Sequence, residues 1–549
     1  MACIYYHPEA YTTSGPKLMG RNAAGESFLR GYLVHSKSTQ FAVQVEQSAY
    51  AQNFLETARA FGRNEAVQVI HSSTLEELAK AGLIYYPGPR IAKHAWSRSL
   101  YGDNLWSLCG ITHTTSSVGA MDALVDLISA PIQPWDALIC TSKAVKNQVL
   151  LLLQTQVDYL KNRLGISKLV LPEFPIIPLG IHTQDFSFSF EQRRVAREQM
   201  GVEKEALIVL YMGRLSFHAK AHPLAMYQAL EAAATSTNKS VVLIECGWHA
   251  NEQIARAYQD AANSTCPSVR VITLDGRNPI ERDSAWACAD IFCSLSDNIQ
   301  ETFGITPIEA MAAGLPVVVS DWDGYKDTVR DGIDGFRIPT HMPTAGLGGD
   351  LALRHALEID TYDRYCGYTC SLVSVDIEAA RDAFIALFDS AQLRVKMGQA
   401  GRERAVSTYD WKVIIPQYEA LWDQLSAIRI AQGNPSVANT SPWPARMDPF
   451  KAFTNYPSAQ LKPETILSLV GDNPVTAMVR IESLLKLAAV NFAKFVLPSM
   501  QEFEVVLNSF SGHPRTAIEA VSGISESRRP FVFRSLAWLL KMGILRVDS

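Results

Sequence analysis

The stretch SLSDNIQETFGITPIEAMAAGLPVVVSDWDGYKDTV, residues 294–329, decides how the chain is read. It opens on the end of an apolar run, ADIFCSLS from Ala289, and passes through a loop containing Gly304. A segment with helical spacing follows and stops at Gly314, before Pro316. A second apolar run, LPVVVSD, begins at Leu315. Continuous apolar runs separated by helical patterns are strands of a parallel sheet covered on both faces. Thr306-Pro307-Ile308-Glu309 fits a capping box, with Thr306 as N-cap, Pro307 at N1 and Glu309 at N3. The pattern predicts a glycine loop and a helix N-terminus at the carboxyl edge of a parallel sheet. Unpaired N–H groups there favour an anion such as phosphate, and open α/β sheets bind ligands at that edge.

Two glutamates flank this loop. Glu301 precedes Gly304, and Glu309 lies one turn into the helix with its side chain directed back toward the N-terminus. Capping accounts for Glu309 as well as a ligand role does. Glu301 taken alone reads as a solvated loop charge. A second cluster adds weight. Tyr211-Met212-Gly213-Arg214-Leu215 ends the apolar run ALIVLYMG, and Lys220 follows six residues after Arg214. A guanidinium fork and a mobile ammonium can together supply two cations to a diphosphate. Read alone, the pair is a surface Arg and Lys on a loop.

Outward from these clusters the same alternation continues. ACIYY from Ala2, FAVQV from Phe41, ALICTS from Ala137 and FPIIPLG from Phe174 read as strands, as do SVVLIECG from Ser240 and VRVITLDG from Val269. There are enough strands for two sheets. The expected division is residues 1–185, then 186–430, a Pro/Asn/Ser/Gly-rich linker at 431–447, and a mainly helical module at 448–549. No internal repeat of fixed period is present.

Composition excludes several classes. The chain has 549 residues, 48% hydrophobic and 19% charged, which is ordinary for globular domains and excludes disorder, collagen and coiled coil as the main architecture. The net charge of −5 does not nominate nucleic acid as the main partner. Nine thinly spread cysteines, with Cys366 and Cys370 closest, fit free thiols in a reducing compartment. MACIYYHPEAYTTSGPK at the start has no signal-peptide pattern, and no apolar run is long enough to span a bilayer. A soluble, cytoplasmic chain is expected, at most peripheral at the inner face of a membrane.

The Arg214/Lys220 and Glu301/Glu309 clusters, in this order, resemble those of glycosyltransferase family 4. The resemblance is carried by ETFGITPIEAMAAGLPVVVS with its Glu-x7-Glu spacing, and continues through DGIDGFRIP from Asp331 and LRVKMGQAGRERAVSTYDWKVIIPQYEALW from Leu393. It implies retaining, nucleotide-sugar-dependent enzymes of the GT-B fold, in which two Rossmann-like α/β domains face a cleft. By resemblance, Arg214, Lys220 and the amides around Gly304, Ile305 and Thr306 would hold the donor diphosphate. Glu301 would hold donor-sugar hydroxyls and Glu309 the ribose hydroxyls. His113, in GITHTTSS from Gly110, would face the donor sugar, with Ser142 and Lys143 at the interdomain edge. In KLMGRNAAGESFLRGYL from Lys17, Gly25 would approach the donor phosphates through its backbone, ahead of a helix starting at Glu26. The implied chemistry needs no metal and no cofactor beyond the nucleoside diphosphate sugar as co-substrate.

The sequence departs from the family in three places. Lys220 is followed by Ala221 and His222 rather than Gly, the loop around Gly25 lacks paired glycines, and a tail follows residue 430. Asp321-Trp322-Asp323 has the DxD spacing that chelates metal in another glycosyltransferase fold, but the phosphate already has two cations here. Acceptor-side candidates lie in YYPGPRIAKHAWSRSLYGDNLW from Tyr85. Trp96, Tyr101 and Trp106 are placed to stack on a sugar or to form core, and Arg90, Lys93 and Arg98 to attract an acidic acceptor or to lie on a solvated face. The acceptor itself would be a glycan, a lipid-linked glycoconjugate or a protein.

The stretch from Gly512 reads as helix–turn–helix–helix and a short strand, similar to the end of a winged helix. With 12 basic against nine acidic residues over 446–549, it carries little excess charge for binding nucleic acid, even with the Arg528–Arg529 pair. Docking to a protein or a membrane surface, or homo-oligomerisation, is its expected use. Two other readings of the whole chain compete: a GT-B epimerase or phosphorylase, and a nucleotide-sugar-binding protein without turnover.

Overall fold

A computed structural model describes residues 2–13, 20–433, 443–471 and 473–548. The chain divides into two compact units, Met1–Trp443 and Pro444–Ser549. The first unit holds two six-stranded sheets, each entirely parallel. In chain order the first six strands are β1 (Cys3–Tyr5), β2 (Phe41–Val45), β3 (Val67–His71), β4 (Leu83–Tyr85), β5 (Ser107–Ile111) and β6 (Ala137–Ile139). The next six are β7 (Leu207–Met212), β8 (Val241–Gly247), β9 (Arg270–Asp275), β10 (Ile291–Ser294), β11 (Val317–Ser320) and β12 (Gly335–Ile338).

The spatial orders are β3-β2-β1-β4-β5-β6 and β9-β8-β7-β10-β11-β12. They are the same order repeated, the doubly wound Rossmann arrangement. This is the two-lobed α/β layout expected from the sequence. It has a consequence for position. The order reverses between β1 and β4 in one sheet and between β7 and β10 in the other. Loops leaving those strands splay apart and leave a crevice. The Arg214/Lys220 loop leaves β7 and the Glu301/Gly304 loop leaves β10, so the two clusters meet at the switch point of the second sheet.

Several sequence readings shift. FPIIPLG is not a strand. Pro175 and Pro178 lack N–H groups, and the segment makes only isolated pairings, such as Cys140 N–H to Pro175 O at 2.9 Å and Ile177 N–H to Cys140 O at 3.1 Å. Strands β3, β4, β5 and β12 escaped the sequence reading because they are only three to five residues long, and β3 and β12 lie at a sheet edge where polar residues are tolerated. The last helix of the first unit, Trp411–Ala431, was assigned with residues 186–430. It packs instead on the helix Gly20–His35 of the first lobe, where Trp411, Tyr418 and Trp422 join Phe28, Tyr32 and Tyr85 in one aromatic cluster. The expected linker begins where this helix ends, and most of it lies outside the described residues.

Between β12 and the following helix the chain makes an excursion. Two short strands, β13 (Thr340–His341) and β14 (Ser374–Val375), pair antiparallel and bracket the helices Gly349–Ala356 and Tyr362–Cys370. The second unit was expected to be helical with one terminal strand. It has a three-stranded antiparallel sheet, formed by β15 (Ile466–Leu469), β16 (Arg515–Thr516) and β17 (Leu545–Val547) in the order β16-β15-β17. Its core gathers Leu467, Ile481, Phe503, Leu507, Leu536 and Leu539. Among the described residues no helix is long and apolar enough to cross a membrane. All nine cysteines are free and buried.

Candidate active site

The β7 loop is built to hold its cations in place. Gly213 leaves the strand, and its N–H donates to Cys246 O at 3.0 Å. The Arg214 guanidinium Nη2 donates to Ala219 O at 2.9 Å and to Gln300 Oε1 at 3.0 Å. Lys220 pairs with Glu301, Nζ to Oε2. Asn298 Nδ2 donates to His218 O at 3.1 Å, and Trp322 Nε1 donates to Asn298 O at 3.0 Å, which braces the β10 loop against the β7 loop. Ala221 and His222, which replace the family's glycine, leave Lys220 on Glu301, and the His222 N–H donates to Asp297 Oδ1 at 3.3 Å.

Glu301 is not the solvated charge that its loop position suggested. Its side chain is 9% exposed. Burial alone would raise its carboxyl, but the Lys220 charge and hydrogen bond, with the Thr302 and Phe303 amides, hold it below the usual carboxylate range. An acid so placed is ionised and paired, with its second oxygen accepting from the Thr302 N–H at 3.2 Å.

The expected capping box is absent. The helix runs Ile305–Ala312 with Gly304 as N-cap, two residues before the predicted Thr306, and no side chain caps it. Gly304 has φ +75°, and a Cβ there would lie 1.9 Å from Cε1 of Tyr325. Only glycine satisfies both conditions, and it lets the helix start early. Ile305 and Thr306 thus occupy the first turn, and Pro307 brings no N–H to compete. Glu309 falls in the second turn rather than at N3. It is half-buried, and while its backbone carbonyl accepts from the Ala313 N–H, its carboxyl makes no hydrogen bond among the described residues. Burial pushes its carboxyl up to about 7, with Arg282 acting in the opposite sense.

From the first lobe, His113 follows β5. Its Nε2 lies 3.1 Å from Pro87 O. A carbonyl only accepts, so Nε2 carries the proton and Nδ1 is left as an acceptor. Burial lowers the His113 pKa, so the ring is neutral. Ser142 Oγ donates to Thr302 O at 2.9 Å, and the Lys143 N–H donates to Asp327 Oδ2 at 2.7 Å. These bonds bring the carboxyl edges of the two sheets into contact beside Glu301.

Gly25 does not form a phosphate loop. It lies within the helix Gly20–His35, where its N–H serves the helix, and a Cβ there would sit 1.9 Å from Ala10 O. Its role is close packing of helix on loop. The start of the segment quoted from Lys17 lies outside the described residues. The acceptor-side stretch is also corrected. Trp106 is core, and Arg98 is fully buried in an ion pair with Asp136 at 2.6 Å. Trp96 stacks on Trp443 at 5.8 Å. The rings at the carboxyl edge are instead Tyr5, Tyr86 and His94, with Tyr86 and His94 stacked at 3.8 Å. Their signal was present in the sequence, since Tyr5 and Tyr86 stand at strand ends. In Asp321-Trp322-Asp323 the carboxylates diverge, Asp321 toward Arg337 at 3.5 Å and Asp323 toward Ser142 at 3.4 Å. No cluster of metal-ligating residues occurs among the described residues.

A sequence model of group 1 glycosyl transferases matches residues 192–346, the region that carries both clusters. The phosphatidyl-myo-inositol mannosyltransferase of Mycobacterium leprae is 33% identical over 153 residues, which is 27% of this chain and 31% of the relative. The D-inositol 3-phosphate glycosyltransferase of Corynebacterium efficiens is 24% identical over 249 residues, 45% of this chain and 50% of the relative. The chain thus spans half or less of the length of these relatives. Anabaena HepE in complex with UDP and glucose superposes with a TM-score of 0.48 at 14% identity, over 77% of this chain and 100% of HepE.

Behind the site, Glu245 on β8 is 2% exposed and accepts from the Tyr227 hydroxyl at 2.5 Å. Burial pushes its carboxyl up from 4.5 to about 7. Between those two pH values the folded chain keeps a proton that the unfolded chain has released. Stability therefore falls as pH rises through the window and stays reduced above it. Glu245→Gln, which retains an acceptor for Tyr227, is expected to be the more stable protein at pH 8, by up to roughly 3 kcal/mol, and to match the wild type near pH 4. Urea midpoints at the two pH values check this; equal midpoints at pH 8 would refute a burial penalty.

Proposed function

We propose that the chain is a glycosyltransferase that moves a sugar from a nucleoside diphosphate sugar to a hydroxyl acceptor, with retention. The observation that carries this reading is the Lys220–Glu301 pair set between Arg214 and the uncapped helix start at Gly304–Thr306, beside the Ser142–Thr302 bond to the first lobe. A cation pair and free amides suit a diphosphate, and a buried, ionised carboxylate beside them suits the hydroxyls of the attached sugar.

As the bond from the anomeric carbon to the β-phosphate oxygen breaks, negative charge builds on the phosphate. Arg214, Lys220 and the amides of Ile305 and Thr306 stabilise that charge. The acceptor oxygen bonds to the anomeric carbon from the same face, and its proton passes to the departing phosphate. No protein nucleophile is required. Glu301 orients sugar hydroxyls, His113 offers Nδ1 as a further acceptor, and Glu309 accepts from the ribose once ionised.

The test is donor binding followed by turnover. UDP, GDP and ADP are each added at about 100 times their dissociation constants, where a bound ligand stabilises by about 2.7 kcal/mol. One nucleotide is expected to raise the unfolding temperature of the wild type, and Arg214→Ala or Lys220→Ala is expected to remove the shift. The matching sugar donors are then supplied with water alone and with myo-inositol, D-inositol 3-phosphate and phosphatidylinositol vesicles, chosen because related proteins bear inositol names. Glycosylated product formed only with acceptor supports the transferase. Conversion of donor alone to an isomer supports an epimerase, and binding with neither outcome supports a binding protein.

A further inference from the structure

The match to group 1 glycosyl transferases ends at residue 346, inside the excursion between β13 and β14. The helix Tyr362–Cys370 of that excursion is fastened to the β7 loop. A Cβ on Gly367 would approach His218 Cβ to 2.9 Å, and Cys370 Sγ lies 3.8 Å from Phe217 O. Cys366 and Cys370, one and two turns after Tyr362, are buried along the same face. The helix is therefore held by the second lobe, and its first residue projects from it.

Tyr362 reaches the first lobe. Its hydroxyl lies 2.8 Å from Ser116 Oγ and 3.0 Å from Thr114 Oγ1, and those two oxygens are 3.0 Å apart. Thr114 directly follows His113. On the other side Tyr362 adjoins Gln300, the residue that accepts from Arg214. Three hydroxyls from two lobes thus close a triangle between the His113 loop and the partner of the phosphate-binding arginine. All three side chains remain partly exposed.

We propose that Thr114, Ser116 and Tyr362 form the acceptor subsite, and that Tyr362 is its specificity-determining residue for a polyol presenting neighbouring hydroxyls. The inference rests on the transferase reading above. A hydroxyl both donates and accepts, so each bond of the triangle can be exchanged for one to a ligand hydroxyl with little net loss. No charge lies within the triangle to favour a carboxylate or an amine. Because Tyr362 comes from the excursion and the serine and threonine from the other lobe, the subsite is complete only when both are in place.

Tyr362→Phe removes one oxygen and keeps the ring. With the donor–acceptor pair of the panel above that gives the wild type its fastest turnover, the acceptor KM should rise about tenfold while the donor KM moves less than twofold. Ser116→Ala should do the same from the other lobe, so a folding defect in one variant leaves the other to decide. The double variant should be no worse than about twofold beyond either single one, since both break the same triangle. Thr114→Ser should recover what Thr114→Ala loses. An active wild type with Tyr362→Phe at the wild-type acceptor KM, or with the two single effects multiplying in the double variant, overturns this inference alone. A wild type silent with every donor and acceptor overturns the transferase reading and this inference with it.

Discussion

Lys220→Ala is expected to lower donor turnover by about 10²–10³-fold, the range found when one fixed donor to a developing oxyanion is removed. The same change should destabilise the fold. Glu301 would be left buried without its cation, and breaking such a pair costs about 2–3 kcal/mol when, as here, the lysine side chain is 27% exposed and water partly replaces it. The two effects can be separated. In Lys220→Ala/Glu301→Gln no unpaired charge remains, so the urea midpoint should return most of the way to the wild type. On the proposed roles of Lys220 and Glu301 turnover should not return, because the phosphate would still lack a cation and the sugar a carboxylate. Single-turnover donor cleavage and urea unfolding on the wild type, Lys220→Ala, Glu301→Gln and the double variant give the comparison. Lys220→Ala cleaving donor at the wild-type rate would remove Lys220 from the mechanism.

The second large effect lies far from this loop. Trp411 is completely buried, with its ring between two glycines: a Cβ on Gly31 or on Gly180 would come within 2.5 Å of it. Its Nε1 donates to Ser27 Oγ at 2.7 Å, and its backbone N–H donates to Ile181 O at 3.1 Å. The indole is the wedge by which the helix Trp411–Ala431 attaches to the first lobe. Trp411→Ala should cost about 3–5 kcal/mol through the cavity it leaves. Gly31→Ala should cost about 1–3 kcal/mol through overlap with the ring. In the double variant the new methyl enters the new space, so the combined loss should be smaller than the sum of the two. Denaturant unfolding monitored by a signal from the first unit measures all three. Trp411→Ala within 1 kcal/mol of the wild type would show that the helix is held by other contacts.

Much of the arrangement around the site was legible in the sequence, because it depends on local rules. Apolar runs such as ALIVLYMG and LPVVVSD declare strands by their continuity, since both faces of a parallel sheet are covered. The glycine before the helix at residue 305 declares a turn that other residues cannot make. Once those strands are ordered, the loops after β7 and β10 must lie at one crevice, and Arg214, Lys220 and Glu301 arrive together.

What was misread has a common cause. Thr306-Pro307-Ile308-Glu309 satisfies the capping pattern, yet the helix begins earlier because Tyr325, more than 15 residues away, occupies the space beside Gly304. Gly25 was read as a loop glycine. Its reason is Ala10, which crosses the helix at that point. Arg98 was expected at a surface because arginine is seldom buried unless paired, and its partner, Asp136, lies 38 residues further on.

The sequence by itself determined the two parallel sheets and the charged clusters at the second sheet's edge, because periodicity, glycine conformation and charge act within a few residues. Tertiary structure alone decided which side chains touch there and which distant segments pack together. The pairing of Lys220 with Glu301, the return of Trp411 to the first lobe and the reach of Tyr362 to Thr114 and Ser116 join segments well separated along the chain. Such contacts are selected by how whole elements pack, and no local pattern encodes them.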